Sequence, residues 1–247
     1  MRTSNPTLKD SSFQNLPTVT SPDEAMTLQG TVTKTAILLF LVVLPAMYIW
    51  NLSATGEMGS AGPWIIGGSV GGFILALVTV FRKQWSAITA PLYAICEGLA
   101  IGGISAVFEA AYPGIVFQAV SLTFGTLVVL LVAYTSGWIR PSENFKLGVV
   151  SATGAIALIY FVTFVLQMFG IRVGFINDGG ILGIAFSLFV VAIAAMNLVL
   201  DFDFIEKASE QGVPKYMEWY GAFGLMVTLI WLYLEILRLL AKTRGRK

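Results

Sequence analysis

The strongest constraint on this chain is a series of apolar runs, each about 20 residues long, separated by short polar or Gly/Pro breaks. A bilayer leaves no water for the backbone, so such runs must cross as helices that satisfy their own N–H and C=O groups. The runs lie at Lys34–Ser53, Trp64–Phe81, Ile88–Phe108, Val116–Ile139, Leu147–Phe169, Gly180–Leu200 and Trp219–Ala241. They predict an all-α integral membrane protein, a bundle of seven transmembrane helices. The breaks are Thr55-Gly56-Glu57 to Gly62-Pro63, Arg82-Lys83-Gln84, Tyr112-Pro113-Gly114, Arg140 to Asn144, Asn177 to Gly180, and Gly212-Val213-Pro214. None is long enough to separate two domains, so residues 31–247 are expected to form a single membrane domain. Residues 1–30 are polar and lack a signal-peptide h-region and cleavage site, which predicts a disordered cytoplasmic tail.

Composition narrows the chemistry. The chain is 12% charged and 56% hydrophobic, where a soluble domain is about 25% charged. A net charge of +1 gives no bulk electrostatic case for nucleic acid. The one cysteine, Cys96, excludes an intramolecular disulfide. There is no histidine, which removes Ser–His hydrolases and His-ligated zinc proteases. Asp201 and Asp203 follow Leu200 and Phe202, not the Gly-x-Gly that precedes the aspartate of aspartyl intramembrane proteases. Neither an enzyme nor a bound cofactor is expected.

Lys and Arg near the span ends set the orientation. With the N-terminus in the cytoplasm, Arg2, Lys9, Lys34, Arg82, Lys83, Arg140, Lys146, Lys207 and Lys215 all lie inside, and Arg172 alone lies outside before the last span. Seven crossings then put Lys242, Arg244, Arg246 and Lys247 outside, against the rule. Either the last segment stops short, or the earlier spans overrule the tail; seven crossings are expected. Glycines at 67, 68, 71 and 72, and at 98, 102 and 103, let helix backbones approach closely.

Acids inside apolar runs are costly, and each is a candidate functional residue. Asp201 and Asp203 lie in Asn197–Glu206, Glu235 in Trp231–Leu237, and Glu97 in Ala94–Leu99. Asp201 and Asp203 are two positions apart and face about 200° from each other on a helix, so they cannot share a site. Asp203 is expected at the membrane boundary. Asp201 shares a face with Asn197, one turn earlier, and that polar stripe must look into the bundle. Glu235 has Arg238 as a local counter-charge, and an interfacial Arg–Glu pair is its plainer reading. Glu218 opens the last span beside Trp219 and Tyr220, as a helix N-terminal charge or as a partner for Asp201. Glu97 is either protonated or paired across helices. Arg82 either anchors its span or reaches inward along its aliphatic stem. Two carboxyls facing each other cannot both ionise cheaply and share a proton. Protonated, such a pair clasps two helices; deprotonated, it repels and offers oxygen ligands to a cation such as calcium.

These stretches resemble the Bax inhibitor family, in its bacterial branch. The resemblance rests on Phe81–Trp85 into Ala90–Ala94 and Glu97–Leu99, on Leu147–Val150, on Asn197–Glu206, and on Pro214–Leu225 through Leu232–Arg238. It implies a seven-helix bundle with a central last helix, a cytoplasmic N-terminus and a pH-sensitive calcium leak in the cell inner membrane. It further implies a gating pair of two aspartates, one near the end of the sixth helix and one in the seventh, with a second-helix arginine as alternate partner. Asp201 matches the first. Leu232-Tyr233-Leu234-Glu235 matches the second, with Glu in place of Asp. Arg82 matches loosely. Glu235 lies about fifteen residues, or roughly 22 Å, into its span, so Asp201 is able to miss it and meet Glu218 instead. The expected function is a pH-sensitive cation leak channel or carrier gated by these carboxylates. The alternative is a regulatory protein that binds other membrane proteins, such as a quality-control protease, and transports nothing.

Overall fold

A computed structural model describes residues 24–55, 58–171 and 180–245. Arg172, the break at Asn177–Gly179, Gly56 and Glu57, Arg246 and Lys247, and residues 1–23 lie outside the described residues. Seven helices are long and apolar enough to cross a membrane, as the sequence predicts. They are α1 (Leu28–Ala54), α2 (Met58–Phe81), α3 (Ser86–Ala111), α4 (Ile115–Thr135), α5 (Glu143–Met168), α6 (Ile181–Glu210) and α7 (Met217–Arg244), with a short 3-10 turn at Lys83–Trp85. No strand occurs among the described residues; an isolated bridge pairs Ala25 with Pro214.

Local chemistry sets the ends. The Thr27 side chain caps α1 by accepting from the Gly30 N–H at 2.9 Å. Ser142 caps α5 through the Phe145 N–H, with Glu143 in the first turn. The sequence places a break at Gly62-Pro63, but α2 starts at Met58 and carries Pro63 inside it. Pro63 lies five residues past the helix start and lacks the N–H that would bond the carbonyl four residues back. The larger difference is in α6. Its apolar run ends at Leu200, yet the helix continues through Asp201, Asp203 and Glu206 to Glu210. Nothing between Leu200 and Glu210 breaks a helix, and Gly212, at φ +63°, turns the chain beyond it. The acids sit within a 30-residue helix, about 45 Å long, in keeping with the helical spacing read for Asp201 and Asp203.

The described residues form two compact units. One holds Gly114–Phe204 with Thr228–Lys247, so α4, α5 and most of α6 and α7. The other holds residues 24–113 with Ile205–Val227. In the first, Ile156, Val190 and Ile193 form an apolar cluster against Tyr160, Phe186 and Trp231. In the second, α3 packs against both α1 and α2 through its glycines. A Cβ at Gly98 would lie 2.3 Å from the Val42 carbonyl oxygen, and one at Gly68 2.6 Å from that of Cys96. Gly67 faces open space, so its neighbour Gly68 is the contact residue. Among the spans α7 is the most enclosed: 67% of its apolar window is buried, against 17% in α2, α4 and α5. Its acids must therefore find their partners in protein and not in headgroups or water.

Gly98→Ala should destabilise the protein by roughly 1–3 kcal/mol, because the Val42 backbone cannot move aside cheaply. Thermal unfolding in detergent measures this, with Gly67→Ala expected to leave the midpoint unchanged.

Candidate functional site

Four carboxylates of the sequence-derived set are buried: Asp201 at 0% exposure, Glu218 and Glu235 at 1%, and Asp203 at 8%. Three of them are held by cations. In the first unit the Glu235 carboxylate accepts from the Tyr160 hydroxyl, at 3.1 and 3.0 Å to its two oxygens. Arg238 Nη1 donates to Glu235 Oε1 at 2.9 Å and its guanidinium lies 5.3 Å above the Tyr160 ring. The Arg238 side chain is 48% exposed, so the trio runs from a dry interior to an open edge.

Asp203 is buried and paired with a cation. Its Oδ2 lies 3.0 Å from Lys146 Nζ, and the same ammonium reaches Glu143 Oε1 at 3.0 Å. Lys146 is 3% exposed, so this cation ties the start of α5 to the far part of α6 in a nearly dry setting. Asn197 makes a second tie between those helices. Its Nδ2 donates to Thr153 Oγ1 at 2.9 Å and to the Ile193 carbonyl at 2.8 Å. Its Oδ1 is buried and meets no hydrogen-bond donor among the described residues. Asp201 follows one turn later, enclosed beside Leu198, Leu200 and Phe202.

These contacts fix helix register. Pairs Lys146–Asp203 and Thr153–Asn197 align α5 antiparallel to α6. Lys242 donates to Ser187 Oγ at 2.7 Å, which aligns α7 with α6 in the same sense. By that alignment Glu235 stands level with about residue 194 of α6, about seven residues or roughly 10 Å along the axis from Asp201. The Tyr160 contact places it at least as far away. The structure thus puts Asp201 and Glu235 in different layers and turns the Glu235 carboxylate toward Tyr160 and Arg238.

In the second unit Glu218 is held by α1. It pairs with Lys34, and its Oε1 accepts from the Thr27 N–H at 3.0 Å and the Thr27 hydroxyl at 2.8 Å. Glu97 is half-buried, with Tyr93 one turn away as its hydrogen-bonding neighbour. Arg82 is exposed where α2 ends. No three Cys, Asp or Glu converge on a metal-sized site among the described residues.

A sequence model of one family, described as Bax inhibitor 1 like, matches residues 5–245. The chain belongs to that family. Neither a curated protein nor a solved structure matched the chain. Membership and the seven spans together indicate a multi-pass membrane protein. The cations that hold those acids were harder to find in the sequence. Lys34 and Lys146 were counted only as orientation signals, and Tyr160 lay unremarked in an apolar run. One signal was available. Lys146 sits in the first turn of α5, where the helix dipole disfavours a cation, so an acid partner was called for.

Lys146→Met should cost about 3–5 kcal/mol, because it removes one partner from a buried ion pair. Adding Asp203→Asn should recover most of that loss, as read by a double-mutant cycle on unfolding in detergent.

Proposed function

We propose that this chain is a pH-sensitive cation leak or carrier, with calcium as the cation and Asp201 as the group whose protonation gates it. The observation that carries this reading is the pairing of two features on one face of α6. Asp201 is wholly enclosed, and Asn197 Oδ1, one turn away, is a buried acceptor that meets no donor among the described residues. The orientation of that amide is set by its Nδ2, which must donate to the Ile193 carbonyl. Protonated Asp201 is a donor suited to Asn197 Oδ1 and closes the layer. Ionised, it joins Asn197 Oδ1 as a second hard oxygen for a passing cation. Ionisation in a dry layer is costly, so charge and packing there change together. Two oxygens are too few for a resident calcium site, which suits a leak better than a buffer.

The family resemblance supports the same residue, since Asp201 matches the sixth-helix member of the gating pair. It also assigns a partner in the last helix. On the geometry above, Glu235 instead meets Tyr160 and Arg238, and Glu218 meets Lys34 and Thr27. We place the N-terminus in the cytoplasm and the protein in a bacterial inner membrane, on the strength of the Lys/Arg bias.

Reconstitution into liposomes with an entrapped calcium dye tests this. Flux should change between roughly pH 6 and pH 8, and Asp201→Asn should flatten that dependence. Glu235→Gln should alter the rate but keep the pH response. No flux at either pH, or a response that survives Asp201→Asn, overturns the reading.

A further inference from the structure

The turn that joins the two acid-bearing helices α6 and α7 is tied down by the segment that precedes α1. The Met26 N–H donates to the Val213 carbonyl at 2.7 Å, and the Lys215 N–H to the Glu24 carbonyl at 2.8 Å. These bonds flank the bridge between Ala25 and Pro214. Beyond it, Glu218 in the first turn of α7 gathers the Thr27 N–H, the Thr27 hydroxyl and the Lys34 ammonium. Lys34 also lies 5.7 Å over the Trp219 ring. The Thr27 hydroxyl both donates to Glu218 and accepts the capping N–H of Gly30, so the start of α1 and the clasp are one hydrogen-bond system. Gly30 leaves just enough room: a Cβ there would stand 2.1 Å from Glu218 Oε1.

We propose that residues 24–34 are a strap that Glu218 buckles across the α6–α7 turn, and that the buckled strap restrains movement of α7. The turn has its own freedom, since Gly212 takes a left-handed conformation and Pro214 donates no backbone hydrogen bond. Two backbone bonds and one carboxylate hold it against α1. The buckle is a local contact between a short extended segment and a helix start, so it opens without unpacking α1 from α3. Releasing it loosens the first turn of the helix that carries Glu235, where the Ser86 hydroxyl still donates to the Tyr216 carbonyl at 3.0 Å. The strap is also the point at which the polar N-terminal stretch meets the membrane helices, which gives events on that stretch a route to α7.

Ala25 and Pro214 form the close, non-hydrogen-bonded kind of antiparallel pair, so paired cysteines there are within disulfide reach. In a Cys96→Ser background, Ala25→Cys/Pro214→Cys should crosslink readily in membranes. Glu218→Gln should slow crosslinking roughly tenfold, the worth of a lost charge-assisted bond. Gly30→Ala should slow it too, by pushing the Glu218 carboxyl aside without altering its charge, while Gly67→Ala should not. Unchanged crosslinking in both Glu218→Gln and Gly30→Ala overturns the buckle. The effect on flux rests on the leak reading above. If the parent protein conducts, the oxidised crosslink should lower flux severalfold and reduction should restore it; equal flux in the two states overturns the restraint. If the parent does not conduct, the leak reading fails and the crosslinking comparison alone decides the strap.

Discussion

An ionised carboxyl inside a membrane bundle needs a partner, and the organisation of this protein follows from how that need is met. Glu235 has Arg238 and Tyr160, Asp203 has Lys146, and Glu218 has Lys34 and Thr27. Except for Arg238, each cation comes from a different helix than its acid. The Lys146–Asp203 and Lys34–Glu218 pairs are therefore also helix contacts, formed where lipid gives apolar surfaces little reason to associate. Breaking such a pair costs more than making it gains, because the remaining charge stays buried. The pairs specify which helices meet and in what register.

That register separates two acids that the family pattern leads one to join. Antiparallel alignment through Lys242–Ser187 and Thr153–Asn197 sets Glu235 and Asp201 in different layers of their unit. The longer Glu side chain at 235, where the pattern has Asp, reaches a tyrosine and an arginine toward the basic end of α7. Asp201 keeps company with Asn197 on its own helix face. The proposed pH response then rests on one enclosed acid and one buried acceptor on the same helix face, not on a pair of carboxyls from two helices.

Much of the fold was legible because membrane spans announce themselves by length and composition. The seven runs became seven helices. What the sequence misplaced were ends. The apolar run before Asp201 stops at Leu200, but hydropathy reports contact with lipid and not helix continuity, and α6 runs on to Glu210. The end of that run marks Asp203 as a boundary residue, and hydropathy alone gives no sign of its pairing with Lys146. The acids were legible because an acid among Leu and Phe is conspicuous. Their partners were not, because a lysine near a span end has an ordinary explanation and a tyrosine among apolar residues has none to give. Arg238 was the exception, since a partner three residues along the same helix needs no tertiary knowledge. Partners from other helices depend on register, which no single run encodes.

The proposed gate is one carboxyl, Asp201, which changes protonation as the protein responds to pH. Infrared difference spectroscopy of the reconstituted protein between roughly pH 6 and pH 8 tests this directly, since carboxyl and carboxylate bands are distinct. The account predicts a buried-carboxyl signal that disappears in Asp201→Asn and persists in Asp203→Asn, Glu218→Gln and Glu235→Gln. A signal that survives Asp201→Asn, or that is lost in one of the other three, would contradict it.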